Sequence, residues 1–190
     1  EKMSSLEIRT SFILASIYAL RMLGMFLILP IFAIYASGLE GNPTSFQIGL
    51  ALGIYGLTQA LFQIPFGMSS DYFGRKKVIY FGLLLFVIGS IVAALSWTIE
   101  GIIIGRSIQG AGAISAVLTA LLADLTRDEH RTKAMAIIGG GIGLTFALSL
   151  VISPWLNAWI GVTGIFLLMA VLSVLAFFIV HFFLKEPRSE

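Results

Sequence analysis

The chain has 190 residues, 58% of them hydrophobic and only 12% charged, with a formal net charge of +2 and a mean hydropathy of +0.98. A soluble domain carries about 25% charged residues, so an ordinary cytosolic protein is excluded, and so apolar a chain also excludes disorder. Zero cysteines remove disulfides, thiolate catalysis and zinc–thiolate sites together.

Six apolar stretches follow one another, at 12–37, 46–68, 78–96, 100–124, 134–156 and 163–184. Each holds 19 to 26 residues, enough to cross a hydrocarbon core of about 30 Å as a helix. Barrel strands would be about 10 residues long with alternating polarity, and nothing here alternates. The first stretch is too long for a signal peptide and holds Arg21, so it reads as a retained helix. Gly41-Asn42-Pro43 breaks the chain before the second stretch, where Thr44 and Gln47 form a candidate capping box.

Charge sets the orientation. Lys2 and Arg9 precede span one, Arg75, Lys76 and Lys77 follow span two, Arg127, Arg131 and Lys133 follow span four, and Lys185 and Arg188 close the chain. All ten fall on one side, which places both termini in the cytoplasm with an even number of spans. Trp97, Trp155 and Trp159 mark the outer boundary. Because the first residue is Glu1 rather than methionine, a fragment or processed chain is expected.

An internal repeat organises the spans. Gly56-Leu57-Thr58-Gln59-Ala60-Leu61 recurs 87 residues on as Gly143-Leu144-Thr145-Phe146-Ala147-Leu148, and Arg21 and Arg106 are 85 apart. Three spans per unit is an odd number, so unit two (about 100–184) inserts upside down relative to unit one (about 12–96). Such inverted repeats are typical of secondary transporters. Gly49 and Gly53, Gly101 and Gly105, and Gly139 and Gly143 form small-residue ridges expected to pack helices, with Gly110 beside them.

The costly residues point to candidate sites. Arg21 lies about 14 Å into span one and Arg106 about 9 Å into span four. Buried arginine needs a partner or a wet cavity. Each is therefore either a brace for buried oxygens or part of a substrate cavity. Helical spacing puts Tyr18, Arg21 and Met25 on one face of span one, Tyr55, Gln59 and either Phe62 or Gln63 on one face of span two, and Arg106, Gln109, Gly110 and Ala113 on one face of span four. Aromatic, amide and thioether groups suit a moderately apolar solute, and helix-to-helix hydrogen bonding is the alternative for each glutamine. No Asp or Glu lies deep in a span, so a proton-coupling carboxylate would have to lie elsewhere or at a boundary. His130 and His181 read as surface residues.

The loop Gly67-Met68-Ser69-Ser70-Asp71-Tyr72-Phe73-Gly74-Arg75-Lys76 resembles the signature loop between spans two and three of the major facilitator superfamily, with Ser69 in place of Leu and Tyr72 in place of Arg. Arg106-Ser107-Ile108-Gln109-Gly110-Ala111-Gly112-Ala113 is similar to that family's span-four motif, and Leu23-Gly24 before Pro30 resembles the drug-antiporter branch. Several stretches look closest to the YajR-like group of drug exporters. The resemblance implies an all-α membrane fold in which residues 1–190 form the amino-terminal six-helix half, with a carboxy-terminal half absent. It implies a latch of Gly67, Asp71, Gly74, Arg75, Lys76 and Asp124, and links Arg106 to proton coupling. It further implies secondary transport of a small drug-like solute, as proton-coupled efflux in the inner membrane. Expected partners are the bilayer, the second half or a second copy, the solute and protons, with no cofactor, metal, nucleic acid or enzymatic step. Where antiporters of that branch carry Gly-Pro-x-x-Gly-Gly in span five, this chain reads Ser153-Pro154-Trp155-Leu156-Asn157, a departure that bears on antiport but not on transport. The rival readings are a six-helix homodimeric transporter and a non-transporting membrane scaffold.

Overall fold

The computed structural model describes residues 3–39 and 41–184, so Lys2, Lys185 and Arg188 lie outside the described residues. It is all-helical among them: α1 (Ser5–Phe26), α2 (Phe32–Ser37), α3 (Ser45–Phe73), α4 (Arg75–Leu95), α5 (Ile99–Ala111), α6 (Ser115–Leu125), a 3-10 turn (Asp128–His130) and α7 (Arg131–Phe183). Five continuous stretches are long and apolar enough to cross a membrane, and the last is long enough to do so twice.

α7 doubles back at Gly161, whose φ of 69° is a left-handed conformation that favours glycine. Its first arm (131–160) runs beside α1, with Ile138 in the core cluster that holds Leu14 and Ser153 Oγ donating to the Leu27 carbonyl. Its second arm (162–183) returns beside α4, where Ser173 Oγ donates to the Leu83 carbonyl at 3.1 Å and Lys76 Nζ to the Leu184 carbonyl at 2.7 Å. The six expected spans are therefore present, the last two joined by a single non-helical residue.

Several boundaries differ from the sequence reading. Span two runs on to Phe73 and span three begins at Arg75, so the expected loop between them is helical except at Gly74. Span one starts earlier, at Ser5, because Ser4 and Glu7 form a capping box of the same kind as Thr44 and Gln47. It also breaks at 27–31, where Pro30 has no N–H to continue the ladder. Span four breaks at 112–114, where Gly112 presses against the Gly82 carbonyl so closely that a Cβ could not fit. The two interruptions lie 85 residues apart, the spacing of Arg21 and Arg106.

The contacts make the two units antiparallel. Glu7 meets Arg127, Tyr18 meets Thr119, Arg21 meets Gln109 and Gly110, and Gly24 meets Arg106. As one number climbs the other falls, which is what inversion of the second unit requires. One end of the bundle thus carries the start of α1, the α3–α4 turn, the 3-10 turn and the end of α7. All seven described Lys and Arg outside the two mid-bundle arginines cluster there. Trp97, Trp155 and Trp159 sit at the opposite end, each more than half exposed.

The core falls into two hydrophobic clusters. One surrounds Leu14, Ile17, Leu118, Leu121 and Val180 at the charged end. The other surrounds Phe32, Ile99, Ile102 and Phe166 at the tryptophan end. Between them lies a polar layer.

Candidate functional site

That polar layer is built on the two helix breaks. A helix leaves its last carbonyls without intrahelical donors and accumulates partial negative charge at its C-terminus. α1 ends at Phe26, and Arg106 Nη1 donates to the Gly24 carbonyl at 2.6 Å. α5 ends at Ala111, and Arg21 donates from Nη1 to the Gln109 carbonyl at 3.2 Å and from Nη2 to the Gly110 carbonyl at 3.4 Å. Each arginine thus satisfies the broken end of the helix that carries the other. The two half-helix ends supply negative potential where no carboxylate is at hand.

Tyr55 of α3 joins the pair. Its ring lies under both guanidinium groups, 4.8 Å from Arg106 and 5.4 Å from Arg21, which places each over the negative face of the ring. Its hydroxyl donates to the Arg21 carbonyl at 3.2 Å. Arg106 also reaches the Ala51 carbonyl and Gln109 Oε1. Gln109 Nε2 donates to Ser90 Oγ at 2.8 Å and faces Met169 Sδ. Five helices are tied together by one knot of side chains.

Of the two readings left open for these arginines, this conformation displays the brace. Arg21 is 3% and Arg106 0% exposed, and the space beside Arg21 is a void of about 10 Å³, room for one water at most. Tyr18, Tyr55 and Gln109 are buried with them, Tyr18 Oη donating to the Ser115 carbonyl of α6 at 2.6 Å. Met25, Gln59 and Gln63 are the members of the cavity set left partly accessible, and Gln59 reaches only as far as Ser115 Oγ, at 3.5 Å. Tyr18, Tyr55, Arg21, Arg106 and Gln109 are thus brought together, while Met25, Gln59 and Gln63 are half-buried outside the knot.

The signature loop forms a second cluster, at the charged end. Gly74, with φ 105°, turns α3 directly into α4, so that Asp71, Ser70 and Arg75 converge across the turn. Arg75 Nη1 contacts Asp71 Oδ1 at 2.5 Å and Ser70 Oγ at 2.6 Å, and its Nε donates to Asp124 Oδ2 at 2.8 Å. Arg75 therefore links the first unit to the end of α6 in the second. Gly67 packs beside Ala116. Lys76 is turned aside to the last carbonyls of α7.

Sequence reasoning missed a third group. The Glu7 carboxylate, 5% exposed, accepts from the Arg127 backbone N–H at 3.0 Å and from Arg127 Nη2 at 3.0 Å. The signal was the Ser4–Glu7 spacing, hidden ahead of the apolar stretch. His130 also departs from its expected surface position. The 3-10 turn rolls its ring inward to 3% exposure while Arg127, Asp128 and Glu129 point out, and neither ring nitrogen has a hydrogen-bond partner. His181 is exposed as expected, its Nδ1 3.3 Å from Tyr80 Oη.

The glycine ridges divide. A Cβ on Gly105 would stand 2.7 Å from Ala93 N, and one on Gly89, which the sequence reading omitted, 2.5 Å from Gln109 N. Those positions let α4 and α5 cross at backbone contact. Gly101 abuts Ser96, and Gly110 abuts the Tyr55 carbonyl and Thr58. Gly49, Gly53, Gly139 and Gly143 meet nothing within 4 Å, so the ridges expected to pack α3 and the first arm of α7 have no partner among the described residues. The small-residue pattern was visible in the sequence, but whether anything lies against it depends on where each helix faces.

Relatives fit this architecture. The Major Facilitator Superfamily profile matches residues 14–190. The inner membrane transport protein YajR of Escherichia coli K12 is 50% identical over 172 residues, covering 90% of this chain and 38% of that protein. The class H tetracycline resistance protein of Pasteurella multocida is 30% identical over 151 residues, covering 78% and 37%. A bacterial homologue of the human lysosomal transporter Spinster, crystallised inward-facing and unoccupied, superposes with a TM-score of 0.81 at 16% identity, over 100% of this chain and 45% of that one. The chain therefore spans less than half the length of these relatives, and it belongs to the Major Facilitator Superfamily.

Proposed function

We propose that this chain is the amino-terminal half of a secondary active transporter that moves a small, amphipathic, drug-like solute by alternating access, as proton-coupled efflux across the inner membrane with both termini cytoplasmic. One observation carries the reading. A charge cluster at the basic end sits beside two long helices, α3 and the first arm of α7, that each pack along one face and leave the rest uncovered. Only 11% of the apolar window of α3 is buried, and the buried residues of the first arm (Ala134, Ile138, Thr145, Ser149 and Ser153) form a single stripe. Two open helix faces flanking α1 are what a second six-helix half would cover.

In this reading the arginine knot keeps the half rigid while it rocks. The Asp71–Arg75–Asp124 cluster is the latch against the second half, and Met25, Gln59 and Gln63 are the first groups the solute meets. The likeness to a tetracycline resistance protein supports a drug-like solute, and the basic end supports the cytoplasmic orientation by the positive-inside rule.

The test uses the complete gene product in proteoliposomes. Efflux of an amphipathic dye should follow an imposed pH gradient and collapse with an uncoupler. Asp71→Asn should raise labelling of an inner-face cysteine by a membrane-impermeant reagent, since loss of a latch favours the state lacking it. Liposomes holding residues 1–190 alone should show no flux. Transport by those liposomes would overturn the half-transporter reading, and dye efflux indifferent to the gradient would overturn proton coupling.

A further inference from the structure

Opposite the unpartnered faces, α4 and the second arm of α7 enclose a groove of about 460 Å³, the scale of a small-ligand site. Phe81, Leu84, Val87, Val174 and Phe178 line it, and Phe81 and Leu84 are each 55% exposed. It occupies the half of the bundle toward the basic end, between the Ser173–Leu83 contact and the Lys76–Leu184 contact. We infer that this groove binds an anionic phospholipid of the leaflet at the basic end, its acyl chain along the apolar wall and its head group against Lys77.

Register supplies the argument. Residues 77, 81, 84 and 88 fall on one helical face, so Lys77 stands directly above Phe81 and Leu84 at the mouth of the groove. Arg75, Arg127 and Arg131 are each paired with a carboxylate. Lys77 is exposed and makes no ion pair among the described residues. The first turn of α4 has no acidic residue and no side-chain cap, so its N–H groups add to the positive potential. Tyr80 of α4 and His181 of the second arm meet across the basic end of the groove, Oη 3.3 Å from Nδ1. A cation at head-group depth over an apolar slot between two helices is the chemistry that holds anionic lipid. The groove looks away from α3 and the first arm, the faces left for a second half, so lipid rather than protein is its occupant. The inference needs the chain to lie in a bilayer but not to transport.

Native mass spectrometry of the delipidated chain in detergent, titrated separately with phosphatidylglycerol and phosphatidylcholine of matched acyl chains, tests it. Phosphatidylglycerol should bind tighter by about five-fold or more, the factor expected of one lysine at the membrane surface. Lys77→Gln should abolish that preference and leave phosphatidylcholine binding unchanged, with helicity intact by circular dichroism. Leu84→Trp, which fills the groove, should weaken both lipids. Equal affinities in the parent chain, or a preference that survives Lys77→Gln, would overturn the proposal. So would a dimer that Leu84→Trp dissociates, because the groove would then belong to a second copy.

Discussion

Two arginine centres in this chain solve the same problem in opposite ways. Arg75, at the basic end, is neutralised by two carboxylates, with Asp71 68% and Asp124 34% exposed at their side chains. Arg21 and Arg106, at mid-depth, have no carboxylate partner among the described residues. They are held by helix-end carbonyls and the Tyr55 face. An exposed ion pair is worth little because water competes with it. A buried guanidinium is costly unless its N–H groups are answered, and here Arg21 Nε and Arg106 Nη2 lack a hydrogen-bond partner, so the ring face of Tyr55 carries part of the compensation. The first arrangement joins groups that water can reach, whereas the second is buried between helices, and that contrast separates the proposed latch from the frame.

The largest effect should come from breaking the frame. Arg106→Ala removes the donors to Gly24, Ala51 and Gln109 Oε1 and leaves the Gly24 carbonyl and Gln109 Oε1 unanswered at roughly 1–3 kcal/mol each. The purified chain should lose monodispersity or melt far lower by fluorescence-detected size exclusion. Arg106→Lys should recover only part of the loss, since one ammonium cannot span the same carbonyls. An unchanged melt for Arg106→Ala would erase the distinction between the two centres.

An intermediate effect should follow at the α4–α5 crossing. Gly105→Leu forces a side chain against the Ala93 backbone and should cost about 1–3 kcal/mol or more. Gly53→Leu, on an open face, should leave the stability of this chain nearly unchanged. The same Gly53 substitution made in the complete protein should be damaging if a second half lies there, which turns one glycine into a probe of the missing contact.

The smallest effect should be at the Asp71–Arg75–Asp124 cluster, the proposed latch. Asp124→Asn removes one exposed partner of Arg75 and should cost about 0.2–1 kcal/mol, shrinking further as salt is raised. A loss as large as that of Arg106→Ala would mean that Arg75 also serves the frame.

Much of this was legible in the residues, and the gaps have physical causes. Span count and the position of the charged loops follow from apolar length and lysine–arginine placement, because lipid imposes those constraints locally. The inverted repeat was visible as the 85-residue spacing of Arg21 and Arg106, and the helix breaks obey the same spacing. The roles of those arginines were not legible. Whether a guanidinium faces water or a broken helix end depends on which carbonyls another segment brings to it. His130 was misplaced for a similar reason, since one 3-10 turn decides which of four polar neighbours points inward.

Neighbouring residues alone specify a bundle of bilayer-length helices in two inverted triplets, with a charged turn closed by Gly74, because length, hydropathy and backbone permissiveness act locally. Packing between helices was needed to establish that each mid-depth arginine caps the other unit's interrupted helix, that the α4–α5 glycines are filled while those of α3 and the first arm stand open, and that Glu7 ties the amino-terminal helix to Arg127. The arginine caps and the Glu7–Arg127 pair join groups 82 to 120 residues apart, and the glycine contacts join two separate helices. Each therefore depends on how whole elements pack, where an unanswered buried charge or an extra methyl is costly enough to select a single arrangement.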